Sequence, residues 1–153
     1  WSNGSTIRVK LIGGSQYVRD RVRYYANQWT QHANLNFQFI NSGRADIRVS
    51  FEQNGSSWSV IGKQALQVGQ SEATMNFGWL RSTLQDYEDQ DEAEKEIRRV
   101  VMHEFGHLLG LQHEQVSPAN NIPWNEAELL RYHAEFGWTI EFPKRNQPQI
   151  ENA

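Results

Sequence analysis

Cysteine is missing altogether from the 153 residues. Its absence excludes a thiolate nucleophile, a Cys-ligated zinc finger and a disulfide framework in one step, and leaves the cellular compartment open. No apolar stretch approaches the roughly 18 residues that span a bilayer, and no signal peptide is legible at the N-terminus. An excess of charge of either sign is also missing. The formal net charge is −3, so there is no global attraction to nucleic acid or to an anionic membrane, and neither is expected as a partner. No internal repeat and no linker marks a second domain, so residues 1–153 are expected to form one domain.

Aromatic residues are plentiful, at 12% with six Trp, seven Phe and five Tyr. That load suits a folded α/β or α+β protein and argues against disorder. Residues 5–12 alternate apolar and polar before Gly13-Gly14, as a half-buried strand does before a turn. Ser15 is placed to cap a helix whose apolar residues Val18, Val22, Tyr25, Ala26 and Trp29 recur at helical spacing to about His32. Residues 35–40 alternate again, as do Ala45, Ile47, Val49 and Phe51, with Asn41-Ser42-Gly43 between the two strands. After a Gly/Ser-rich loop at 55–57 comes Trp58-Ser59-Val60-Ile61-Gly62, followed by weaker strand candidates at Ala65–Val68 and Ala73–Trp79. An acidic stretch, Asp86–Glu96, leads into a helix carrying Ile97, Val100, Val101, Glu104 and Leu108. Its carboxylates favour the positive end of the helix dipole, with Asp91–Lys95 and Glu94–Arg98 as supporting pairs. A short helix is expected over 125–135, and residues 144–153 read as a polar, disordered tail.

One eleven-residue window stands apart: His103-Glu104-Phe105-Gly106-His107-Leu108-Leu109-Gly110-Leu111-Gln112-His113, or H-E-x-x-H-x-x-G-x-x-H. With 5 His, 13 Glu and 11 Gly in the chain, the five fixed positions co-occur by chance in roughly 3 of 100,000 such chains, taking positions as independent. Residues four apart on a helix lie about 40° apart in azimuth and about 6 Å along the axis, so His103 and His107 can converge on one ion. Gly110 permits the left-handed turn that takes the chain out of the helix and returns His113 as a third ligand. Three neutral ligands leave zinc its full positive charge and an open fourth position. Glu104, about 100° around the helix, can accept the proton of a water activated by the metal and pass it to a leaving amine, which is peptide hydrolysis.

These residues resemble the metzincin zinc-peptidase signature. His113-Glu114-Gln115 continues it as the astacin-like peptidases do. Trp58-Ser59-Val60-Ile61-Gly62 is similar to a Ser-x-Val-Gly segment of that family, and Ser117-Pro118 with Ile122-Pro123-Trp124 resembles its cysteine-free bacterial and fungal members. The resemblance runs from the first strand to about residue 139. It implies an α+β (α/β) metzincin-like zincin, built on a twisted five-stranded mixed sheet with a backing helix and an active-site helix. An upper subdomain over 1–110 would be followed by a shortened lower subdomain over 111–153. One antiparallel strand would form the lip of the cleft, with residues 65–68 as the candidate, and an extended peptide would pair with that edge. The resemblance further implies Zn2+ held by His103, His107 and His113, Glu104 as general base, a protein or peptide substrate, and a secreted, monomeric enzyme. Glu114 matches a glutamate that pairs with the amino terminus in astacins, although a plain surface or loop-bridging carboxylate fits it equally.

The chain departs from the family pattern below the metal. Metzincins carry a methionine turn downstream of the third histidine, whereas Met75 and Met102 both precede His113. The tyrosine that follows that methionine in astacins has no counterpart, because Tyr132 lies outside any matching motif and is expected to pack within its helix. His133 is expected at the surface. An inactive or truncated zinc-binding domain is therefore the alternative to a zinc endopeptidase, and an interaction module whose histidines merely pack is a third reading.

Overall fold

The computed structural model describes residues 1–114, 123 and 125–135. The chain divides into two compact units, Trp1–Leu111 and Gln112–Ala153. In the first, five strands form one sheet: β1 (Ser5–Leu11), β2 (Leu35–Ile40), β3 (Ile47–Ser50), β4 (Ser57–Ser59) and β5 (Met75–Phe77), in the order β2-β1-β3-β5-β4. The pairs β1–β2, β1–β3 and β3–β5 are parallel, and β4 alone runs antiparallel, against β5. This is the α+β arrangement with a five-stranded mixed sheet expected from the sequence.

Helix α1 (Gln16–Ala26) is the crossover from β1 to β2. It begins at Ser15, whose hydroxyl accepts from the Val18 N–H, and buries Val18, Val22, Tyr25 and Ala26. The expected helix to His32 tightens after Ala26 into a 3-10 turn, Asn27–Gln31. Helix α2 (Gln90–Leu109) packs against α1 and against β4. All four residues of β3 and all three of β5 are buried, as suits central strands covered on both faces. The core joins Ile7, Val9 and Leu11 of β1 to Val49, Met75 and Phe77, and to Ile97, Val101, Phe105 and Leu108 of α2.

The antiparallel edge strand is not where the sequence placed it. Residues 65–68 are not a strand: 65–67 lie in the 3-10 turn Gly62–Gln67 and Val68 follows it, while the lip of the sheet is β4, Ser57–Ser59. Buried Asn76 on β5 secures the connection into β4. Its amide donates to the carbonyls of Glu52 and Ser56 and accepts from the Glu52 N–H and the Ser50 hydroxyl. The helix-surface pairs differ as well. Lys95 meets Glu92 at 2.6 Å and Arg99 meets Glu96 at 2.8 Å, each three residues apart. Glu94 turns instead toward α1, where Arg21 approaches it at 3.3 Å.

In the second unit the described part is chiefly α3 (Glu126–Glu135), where the Asn125 side chain accepts from the Glu128 N–H. The expected tail at 144–153 lies outside the described residues.

Candidate metal centre

Helix α2 forms where its sequence carries both end signals. Asp89 accepts from the backbone N–H groups of Asp91 and Glu92, and those two carboxylates sit in the first turn, at the positive end of the dipole. Ala93, Ile97, Val100, Val101, Glu104, Phe105 and Leu108 form its buried face. The helix ends at Gly110, whose backbone is left-handed (φ 107°, ψ 4°). The Gly110 N–H reaches the His107 carbonyl at 2.9 Å and the Leu111 N–H reaches the Gly106 carbonyl at 3.0 Å, the paired bonds of a Schellman turn.

This framework brings together the three histidines singled out in the sequence. One ring nitrogen from each of His103, His107 and His113 lies within 4.8 Å of the others. The His103 and His107 rings have centroids 4.5 Å apart and stand at 79° to one another. A tetrahedral ion with Zn–N bonds of about 2.0–2.1 Å holds its ligands about 3.4 Å apart. Small ring rotations therefore suffice to close the set, and three imidazoles are a donor set suited to zinc. His107 is also oriented from behind, with its Nδ1 at 2.8 Å from the Leu111 carbonyl. That contact fixes the tautomer that leaves Nε2 for a metal.

Glu104 is 4% exposed, and its Oε2 is buried with no hydrogen-bond partner among the described residues. Burial pushes its carboxyl up to about 7, and the neighbouring His107 pulls in the opposite direction. A carboxylate held this way can take and return a proton near neutral pH. Of the other residues singled out, Glu114 is exposed and Tyr132 is 54% exposed. His133, expected at the surface, is buried at 6% exposure.

Sequence inspection missed the partners behind the helix. The Trp29 indole N–H donates to the Met102 carbonyl at 3.0 Å, and the Trp1 indole donates to the Leu108 carbonyl at 2.8 Å. The one local signal was Gly106, a small residue inside an otherwise well-formed helix. Gly62, with φ +54°, comes close to the helix end, since a Cβ there would stand 3.6 Å from the Gly110 Cα.

The chain is similar to a solved structure of myroilysin, with a TM-score of 0.78 and 42% identity, covering 95% of this chain and 63% of that one. A crystal structure of myroilysin matches with a TM-score of 0.67 and 45% identity, over 88% of this chain and 55% of that one. Matrix metalloproteinase-2 of Drosophila melanogaster is 28% identical over 123 residues, 70% of this chain and 15% of that protein. The chain thus spans less than two thirds of the length of each relative. Matrixins use zinc, and the three-histidine cluster is compatible with a zinc site. The matrixin family profile matches residues 10–128, most of the sequence and the first two histidines with the third; the chain belongs to the matrixin family.

Proposed function

We propose that this chain is the catalytic domain of a zinc endopeptidase, with His103, His107 and His113 as the metal ligands and Glu104 as the proton carrier. One observation carries the reading: three imidazole nitrogens within 4.8 Å of one another, on and just past a helix whose buried Glu104 has an unpartnered Oε2. Zinc bound there supplies Lewis acidity, polarising a carbonyl and making water a competent nucleophile near neutral pH. Glu104 accepts the proton released by the attacking water and returns it to the nitrogen of the departing amine. The Leu111 carbonyl holds the His107 ring, and the Gly110 turn delivers His113 without crowding the two helical ligands. The substrate chain is proposed to lie extended along β4, the end strand of the sheet, adding a strand by backbone hydrogen bonds.

Several finer assignments belong to the same proposal. The domain would comprise an upper part to residue 110 and a short lower part from 111. Its affinity within the metzincins is proposed to be astacin-like, supported by Glu114 directly after His113 and by the Ser59-Val60-Ile61-Gly62 segment. Secretion is proposed because matrixins generally act outside cells. A zinc-binding domain without turnover is the second reading.

Metal stoichiometry and casein cleavage, measured on wild type and Glu104→Gln, decide between these readings. One zinc per chain in both proteins is expected, with cleavage by wild type and a loss of at least about 100-fold in the variant. One zinc without any cleavage by wild type selects the second reading. Wild type that binds no zinc after chelator-free preparation overturns both.

A further inference from the structure

Trp29 touches the active-site helix at two residues, and each stands one position before a proposed ligand. Its indole N–H donates to the carbonyl of Met102, which precedes His103. Its ring fills the space beside Gly106, which precedes His107: a Cβ there would lie 3.3 Å from Trp29 Cζ2 and 3.9 Å from Cη2. The same Cβ would lie 3.7 Å from Cδ1 of Leu111. Leu111 is the residue whose carbonyl meets His107 Nδ1 at 2.8 Å. One indole thus bears on both ligand positions of the helix, on the Schellman turn and, through Leu111, on the orientation of an imidazole. Trp1 adds a second point at the far end, on the Leu108 carbonyl.

We propose that Trp29 is a positioning residue for the metal centre, setting the rotation of helix α2 about its axis so that the His103 and His107 rings converge. Apolar contacts hold a helix firmly against its bed, but they are non-directional and define its rotation about the axis less sharply than a hydrogen bond does. A directional N–H bond together with a ring seated on a glycine removes that freedom. Rotation of a few degrees about the axis would carry both ring nitrogens sideways together, and His113, which arrives from the turn, would not follow. The inference rests on the proposed zinc site.

The test uses Trp29→Phe, which keeps an aromatic ring and removes the N–H, Gly106→Ala, and the double variant. Zinc dissociation constants come from competition with a chromogenic chelator, the visible spectrum of the cobalt-substituted proteins reports ligand geometry, and far-UV circular dichroism reports folding. Outer contacts that orient metal ligands are typically worth 10–100-fold in metal affinity. Trp29→Phe is expected to weaken zinc binding at least tenfold and to alter the cobalt bands while helix content is retained. Gly106→Ala is expected to weaken binding too, although alanine is the better helix former and propensity alone predicts no loss. Since Phe lacks the ring atom that an alanine Cβ would meet, the double variant should bind no more weakly than Trp29→Phe. Wild-type affinity and cobalt spectrum in both single variants, or fully additive losses in the double, overturn the inference. Should Trp29→Phe fail to fold, unchanged affinity in Gly106→Ala overturns it and a tenfold loss in that folded variant supports it. Wild type without zinc would sink the site itself, a separate outcome.

Discussion

Arg48 shows how a single side chain can define a long connection. It lies on central strand β3, is 1% exposed, and meets carbonyls: Nε donates to Glu72 at 2.6 Å, Nη1 to Ala45 at 3.0 Å, and Nη2 to Val68 at 3.2 Å and Ala65 at 3.5 Å. Those bonds satisfy backbone oxygens from 65 to 72 that belong to no ladder. Arg48→Met keeps the aliphatic stem but leaves the carbonyls unmet, each at a cost of about 1–3 kcal/mol. A loss near 3 kcal/mol in urea unfolding is expected, partly offset because the buried cation goes too. An unchanged midpoint would show that water replaces the guanidinium. In the sequence, Arg48 reads as an outward residue between Ile47 and Val49, since alternation assumes one solvated face and β3 has none. The three-histidine cluster was legible for the opposite reason, because His103, His107, Gly110 and His113 are close in sequence and their spacing alone fixes helix, exit and return. Trp29 was invisible, being 73 residues from its partner on α2.

Among the elements, α1 and α2 are clipped at Glu94. Tyr25 donates its hydroxyl to this carboxylate in a short hydrogen bond, Tyr17 donates at 3.4 Å, and Arg21 pairs with it. Burial, then the Glu94 hydrogen bond, raises the Tyr25 phenol from 10.0 to about 12. A folded-state value above the unfolded one means that this stabilisation is complete below pH 10 and fades as pH climbs through about 12. Wild type should therefore lose about 1 kcal/mol per pH unit more than Tyr25→Phe across that window. Parallel alkaline slopes in urea titrations of the two proteins would refute the coupling. The acidic run showed a helix start but not this clip, because the sequence paired Glu94 with Arg98 on the same surface. The misplaced edge strand has a related cause. Ala65, Leu66 and Val68 look strand-like, yet the carbonyls of 65 and 68 are drawn to Arg48, while β4 is three residues long and marked only by its aromatic Trp58.

For the whole molecule, the five-strand count and the two long helices followed from patterning and family resemblance. The order β2-β1-β3-β5-β4 did not, because pairing between distant strands leaves no trace in local spacing. Binding to the native state alone adds stability as RT ln(1 + [L]/Kd). Zinc at 1,000 times its dissociation constant should add about 4 kcal/mol and raise the melting temperature, and a chelator should reverse the gain. Calorimetry with and without chelator checks this, and equal melting temperatures would contradict a metal held by the folded histidines.

The indole of Trp1 reaches a carbonyl 107 residues away along the chain. A contact between such remote segments carries a large loop-closure entropy cost. If this contact closes after the folding barrier, helix α2 acquires its final seating near the end of the folding reaction. Stopped-flow refolding should run at the same speed with or without cation, whereas the native lifetime should lengthen when the cation is present, making metal depletion the step that exposes the protein to degradation.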